Sequence, residues 1–427
     1  MTDHPRSFER AFAAPAEPAR VEKRAGERGQ VLAMTAILLI TVCVLIAVAA
    51  DMGYFFDYRR QMQTGADGAA MAGADQLRRR ASDSEIRSAA FNGASSNGFT
   101  NGANAVQVTV NHPPVSGFYA GNDAFVEATI SQPRPTIFMG TLGFQSATVS
   151  TRAIAGAQDS PNCVYALDPS ATHSFNTSGS ASVNAACGIV VDSSNGSAMV
   201  SSGGGQVTAA SIAVTGNAVG CCFSPPPQTG VPPEPDPFAG RAAPQFSGCD
   251  YTDLHVNSVT KVLTPGVYCN GIDISGGNSS VTFLPGLYVL NGGGLSVSGG
   301  GTVNGRGVTF YNTGSAGYAY KPLGISGGTL GMLAAPTSGP MEGILVFQDR
   351  SITSSQTNTV SGGSTLSFEG ALYFPTTPLN FSGNSSGSAA YTIIIAKTID
   401  FSGLSNLRAG FGNLQNGNPI KKVALAD

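Results

Sequence analysis

Few residues in this 427-residue chain are spaced for chemistry. Asp250 and Asp253 lie close together, and Asp349 adjoins Arg350. Carboxylates clustered with a basic residue are what hydrolysis or elimination on a polysaccharide would need, since general acid–base work requires carboxyl groups positioned about the scissile bond. Neither pair forms a signature, and the acids of the second half are scattered where they suit turn hydrogen bonds. His112, His173 and His255 lack a nearby serine-and-acid pattern, which leaves nucleophilic catalysis unsupported.

Seven cysteines are the other candidates. Cys43 sits in an apolar run and reads as a small apolar residue. The remaining six, Cys163, Cys187, Cys221, Cys222, Cys249 and Cys269, form an even set that suggests three disulfides in an oxidising compartment, with fifteen connectivities open. Of these, Cys163 with Cys187 is preferred, leaving the other four to pair near a proline-rich loop. Zinc is disfavoured because no CxxC pair exists and His255 has no matching histidine. The expectation is therefore no catalytic residue, no cofactor and no metal.

The elements that would position these groups fall into two regions. Twenty residues without a charge open on Val31 and close on Ala50 (31–50). At about 1.5 Å rise per residue they span a hydrocarbon layer of roughly 30 Å. Arg20, Lys23, Arg24 and Arg28 precede the run, whereas Asp51 follows it and the next basic residues are Arg59 and Arg60. By the positive-inside rule the N-terminus is cytoplasmic and the bulk of the chain lies on the far side of the membrane. The apolar run is longer than a signal-peptide core, so an uncleaved anchor is expected. After it, Tyr54, Tyr58, Met62, Ala66, Ala69, Ala70 and Gly73 fall on one helical stripe, which predicts that the membrane helix continues outward and packs through small residues.

These residues carry a resemblance. Arg28-Gly-Gln-Val31, Ala49-Ala-Asp-Met-Gly-Tyr54, Arg59-Arg-Gln-Met-Gln63 and Ala66-Asp-Gly-Ala-Ala70 together resemble the N-terminal domain of the TadE/TadG-like proteins of Flp, or tight-adherence, pilus assembly. The resemblance continues through residues 106–110, 125–130 and 138–155, a β-rich module that implies a pilin-like helix-plus-sheet layout. It marks Val31, Ala50, Asp51, Gly53, Tyr54, Gln61, Ala66, Asp67 and Ala70 as membrane-span and helix-packing candidates. The implied partners are the bacterial inner membrane and other pilus-assembly or envelope proteins. One departure is the uncharged stretch 31–35, which lacks the glutamate of a prepilin processing site.

The second half is a repeat. Asp273-Ile-Ser-Gly276, Ser296-Val-Ser-Gly299, Gly324-Ile-Ser-Gly327, Thr359-Val-Ser-Gly362, Asn380-Phe-Ser-Gly383 and Asp400-Phe-Ser-Gly403 recur after Asn176-Thr-Ser-Gly179, each following a short apolar strand. Rungs of roughly 20 to 25 residues with glycine corners suit a parallel β-helix better than a propeller, whose blades need about 40. A β-sandwich with glycine-rich hairpins is the alternative. Strands such as Ile344-Leu-Val-Phe347, Ala371-Leu-Tyr-Phe374 and Tyr391-Thr-Ile-Ile-Ile-Ala396 should stack apolar residues inward, with Ser, Thr and Asn facing water. Residues 225–237 are too proline-rich for a sheet and read as an exposed, stiff loop, more often a spacer than a ligand.

The expected architecture is thus mainly β. It comprises a cytoplasmic tail (1–30), a membrane helix (31–50), a helix with a small β module (51–157), a Gly/Ser/Asn-rich β-helix-like domain (158–420) with the loop 225–237, and a C-terminal tail (421–427). With 11% charged residues and a net charge of −3, the chain has no broad basic surface for nucleic acid, and no small-molecule substrate is indicated. The function expected is a non-enzymatic, membrane-anchored envelope role in pilus assembly. The alternatives are a surface adhesin and a polysaccharide-acting β-helix enzyme.

Overall fold

The charge-free run and the residues after it keep one helical period, so no break is forced between them. In the computed structural model helix α1 (Glu27–Arg78) is accordingly continuous across both regions. The structure describes residues 27–79, 81–326, 330–361, 366–382 and 389–426. The expected tail as far as residue 26, the corner glycines Gly327, Gly362 and Gly383, and Asp427 lie outside the described residues.

Helix α2 (Asp83–Ser96) starts at a capping box in which the Glu85 carboxylate accepts from the Ser82 backbone N–H at 2.8 Å. It returns along α1 and buries Ile86, Ala90 and Ala94 against the α1 stripe of Met62, Ala66, Ala69, Ala70 and Ala74. The approach is as close as glycine allows: a Cβ on Gly93 would lie 2.7 Å from the Gly68 carbonyl oxygen. An antiparallel sheet of β1 (Gln107–Asn111), β2 (Phe125–Pro135) and β3 (Ser146–Asp159) closes the other side of α1, burying Val108, Val126, Ala128, Ile130 and Ala153. The small-residue stripe is therefore consumed within this stem. Residues 421–427, read as a tail, are corrected by the structure: Lys421–Ala426 is the fourth strand of the same sheet, antiparallel to Ile154–Asp159 of β3. Its Val423 packs against the stem core, an apolar contact that a tail would forgo.

The remainder is a parallel β-helix-like solenoid. Its successive rungs pair in parallel, which sandwich hairpins cannot do. One inward row runs Tyr288, Phe310, Val346, Leu372, Ile394, Val164, Ile189 and Ile212, each opposite the next. A second face, from Leu295–Val297 through Leu379–Phe381 and Ile399–Phe401 to Phe175–Thr177, alternates as expected, with Asn380, Asp400 and Asn176 on the outer side. Corners use positive φ: Gly271 has φ 81°, and a Cβ there would come 2.2 Å from the Gly294 carbonyl oxygen.

The stacking order is not the chain order. The first rung in sequence, Asn162–Ala166, pairs with Thr392–Ala396, nearly the last, and with Gly188–Val191 on its other side. The chain thus enters the solenoid at an interior rung and winds to one end at Gln228–Thr229, which pairs with Ser211–Val214. It then crosses to the opposite end at Tyr251–Asn257 and winds back to the entry rung. From end to end lie eleven strands. At about 4.8 Å per step they measure roughly 48 Å, which some twenty extended residues at about 3.3 Å each can cross.

That crossing corrects the reading of 225–237 as a spacer. Residues 225–233 are mostly exposed, but from Glu234 onward the chain is a strap laid over one face of the solenoid. Glu234 N–H donates to Asp192 at 2.9 Å, Tyr373 Oη donates to Asp236 at 2.6 Å, and Arg350 Nη1 donates to the Arg241 carbonyl at 2.9 Å. Phe238 packs edge-on to Tyr373 and Phe246 to Tyr311. Beneath the strap the outward row is Val289, Tyr311, Phe347, Tyr373, Ile395, Tyr165 and Val190, not Ser, Thr and Asn. A strand covered on both faces must be apolar on both.

The strap makes stability pH-dependent. Burial pushes the Asp192 carboxyl up to about 6, aided by the Glu234 charge and opposed by the Glu234 N–H. The folded state therefore holds a proton that the unfolded chain releases near pH 4, and stability falls as pH rises from about 4 to about 6. Asp192→Asn should raise stability over wild type by about 1–2 kcal/mol more at pH 7.5 than at pH 3.5 in thermal unfolding. An advantage equal at both pH values would contradict this assignment.

Candidate functional site

The sequence-selected catalytic candidates serve the scaffold. Asp250 accepts from the Val267 N–H at 2.7 Å at one solenoid end, and Asp349 accepts from Ser351 N–H at 2.9 Å and Thr313 Oγ1 at 2.7 Å. The Asp349 carboxyl lies below its usual range because burial, which would raise it, is outweighed by these donors. Arg350 ties Tyr373 to the strap, donating from Nε to Tyr373 Oη at 2.6 Å. Asp253 has φ 51° at a bulge in the rung. His255 meets only Asp273, at 3.2 Å on the surface, and His112 bridges Asp83 and the Asp123 carbonyl in the stem. Among the described residues no group of three His, Cys, Asp or Glu side chains is placed to hold a metal.

The paired cysteines lie at the entry rung and near the two ends of the solenoid. Cys163 and Cys187 join the entry rung to its neighbour, with Cα atoms 5.7 Å apart. Cys249 and Cys269 pair at the end where the strap arrives, also at 5.7 Å, and the adjacent Cys221 and Cys222 pair near the opposite end. Cys43 is free and exposed on the apolar run.

The residues with a distinctive common geometry are those around Asp51, at the foot of the stem. Asp51 is buried, and its carboxylate accepts three backbone amides of the β2–β3 loop: Ile137 at 2.9 Å, Phe138 at 3.1 Å and Met139 at 2.7 Å. Successive N–H groups converging on one carboxylate form an anion nest. The 3₁₀ turn Met139–Leu142 is thereby held against α1. One turn later Tyr54 Oη accepts from Arg134 Nη2 at 2.6 Å, while the Arg134 guanidinium stands 4.2 Å over the Tyr58 ring. Tyr58 Oη in turn donates to Gln132. Asp51, Tyr54 and Tyr58 thus clamp β2 and its loop onto the helix as it leaves the apolar run.

Other sequence candidates divide. Ala66 and Ala70 are spent against α2 and the sheet. Asp67 accepts from Gln63 Nε2 at 2.8 Å, and Gln61 donates to Asp57 at 2.8 Å on the exposed side. Val31 and Ala50 lie exposed on the span, and a Cβ on Gly53 would meet nothing within 4 Å. Sequence reasoning missed Arg134 and residues 137–139, which are paired to the helix across 80 to 88 positions. The signal available was the lone charge of Arg134 ahead of a charge-free stretch, 135–151.

The stem is also where similarity to known proteins falls. Residues 29–76 match the family model described as Flp pilus-assembly TadE/G-like. In this segment the chain is similar to that family. A second model, described as Tad-like Flp pilus-assembly, matches residues 68–155, so the two together run from the apolar part of α1 into β3. Comparison with curated proteins and with solved structures gives no match. The solenoid lies outside both matched segments.

Removing the Asp51 carboxylate leaves three amides without their acceptor, each worth about 1–3 kcal/mol if left unsatisfied. In Asp51→Ala, hydrogen exchange at residues 137–139 should accelerate at least tenfold, with Asp51→Asn intermediate. Exchange unchanged in Asp51→Ala would refute the clamp.

Proposed function

We propose that this protein is a non-enzymatic, single-pass envelope component of a Flp/Tad-type pilus-assembly system, with a cytoplasmic N-terminus and its stem and solenoid in the periplasm. The supporting observation is coincidence: the segment matching the two Flp pilus-assembly models, 29–155, is also the segment in which an apolar helix runs unbroken into a folded stem. Helix α1 between residues 31 and 46 is exposed along its length and is long and apolar enough to cross a membrane. The basic residues before the span and the disulfides after it support the orientation.

In this reading the stem is the assembly-facing part. Its exposed side carries Met52, Phe56 and Arg59 beside residues 147–150 of β3, an edge of the sheet that the C-terminal strand does not reach, with Arg60 exposed next to them in sequence. The solenoid joins the stem at an interior rung and extends in both directions from it, a shape suited to contact rather than to reach. The polar groups of its rungs are used in turns and in the strap, which supports a structural role for them.

A photoreactive residue at Met52, Phe56 or Arg60 in cells should crosslink to membrane or periplasmic components of the pilus apparatus, and one at Val262 on the solenoid should not give the same adducts. Recovery of no such component from any stem position would count against the proposal. Cleavage of the solenoid by protease on intact cells would favour an adhesin instead.

A further inference from the structure

The loop between β2 and β3 leaves apolar side chains uncovered at one height. Ile137, Phe138, Leu142 and Phe144 are 57%, 48%, 52% and 64% exposed, although the loop backbone is well tied: Thr136 N–H donates to the Gln145 carbonyl at 3.1 Å, and the turn amides bind Asp51. No residue from 135 to 151 is charged. Asp51, the residue that holds the loop, is the first after the apolar span, so the loop is fixed at the level where the span ends. Among the span side chains described, Ala47 and Val48 alone are partly covered, in the two turns before Asp51.

We infer that this loop is a second membrane contact, with Ile137, Phe138, Leu142 and Phe144 seated in the interfacial layer of the same bilayer that α1 crosses. The inference rests on the reading of residues 31–50 as a membrane span. The occupant is lipid rather than a protein groove because the patch is continuous with the span and because its neighbours form an interfacial collar. Met52 and Phe56 are exposed on α1 within the next two turns, Tyr54 and Tyr58 place amphipathic rings there, and Arg59 and Arg60 follow within about 14 Å of Asp51 along the helix. Aromatic and aliphatic residues at this depth with arginines just beyond are the order that a membrane–water boundary favours. Two attachment points, the span and the loop, fix the tilt and rotation of the stem, which a single helix leaves free.

The chain has no tryptophan, so single-tryptophan variants report one position each. The full-length protein would be reconstituted in phosphatidylcholine vesicles containing brominated lipid, with tryptophan at Phe144, at Leu142, at Leu39 in the span, or at Phe118. Phe118 is 93% exposed in a hollow with Gln63 and Asp67, at least about 18 Å beyond Asp51 along the helix. Phe144→Trp and Leu142→Trp should emit at shorter wavelength than Phe118→Trp and be quenched by the brominated lipid, as Leu39→Trp is, while Phe118→Trp is not. Absence of quenching at Leu39 would overturn the span itself. Quenching at Leu39 with none at 142 or 144 would overturn the loop contact alone, and shielding of 142 and 144 from aqueous iodide without lipid quenching would assign the patch to a second copy of this chain instead.

Discussion

A solenoid entered at an interior rung can be completed only if one connection travels back along the whole stack. Everything in the larger domain follows from that constraint. Asn162–Ala166 is already flanked on both sides, so winding toward Gln228–Thr229 leaves the other half of the stack unbuilt, and residues 230–250 must carry the chain to the far end. The connection is long, and it is held down by Asp192, Tyr373 and Arg350 and by the aromatic pairs at Phe238 and Phe246. Proline fits such a segment because an extended strap needs a stiff backbone and few donors.

Interior entry also decides how the stem and solenoid are joined. β3 feeds the entry rung directly, and the C-terminal strand returns from the closing rungs to lie beside β3. The strap adds a third tie, through Arg78 Nη1 to the Pro237 carbonyl at 3.2 Å and Lys422 Nζ to Glu234 at 3.1 Å. First and last parts of the solenoid thus meet at the stem, and a load on α1 is shared by both arms. Midway along α1 the helix exchanges surroundings within one turn, from exposed apolar side chains to a carboxylate holding three amides of its own domain.

Much of this was legible in the sequence for physical reasons. Apolar length gave the long exposed helix, and period 3.6 through Met62, Ala66 and Ala70 gave its continuation into the stem. Glycine corners at rung spacing gave the parallel solenoid, whose inward rows formed as the strand patterns imply. The rung order was not legible, because every rung offers the same apolar edges and nothing local says that Val164 belongs beside Ile394. The apolar outward row of Tyr311, Phe347 and Tyr373 was a visible sign of cover on that face, but its cover is distant in sequence. Asp51 stood out within the resembling segment, whereas its partners at 137–139 act through backbone amides, which no side-chain pattern reveals. The terminal residues 421–427 were too short and isolated to read as a strand without β3 beside them.

The interior entry can be tested by one crosslink. Asn176 and Asp400 are 224 positions apart in sequence yet directly opposite in adjacent rungs, with Nδ2 and Oδ1 at 3.2 Å. In a variant carrying Asn176→Cys and Asp400→Cys, peptide mass spectrometry after mild oxidation should recover a 176–400 disulfide as readily as a 380–400 disulfide in the control pair Asn380→Cys and Asp400→Cys. A control disulfide that forms while the 176–400 pair stays reduced would mean that the rungs stack in chain order, and the strap and its three ties would lose their basis.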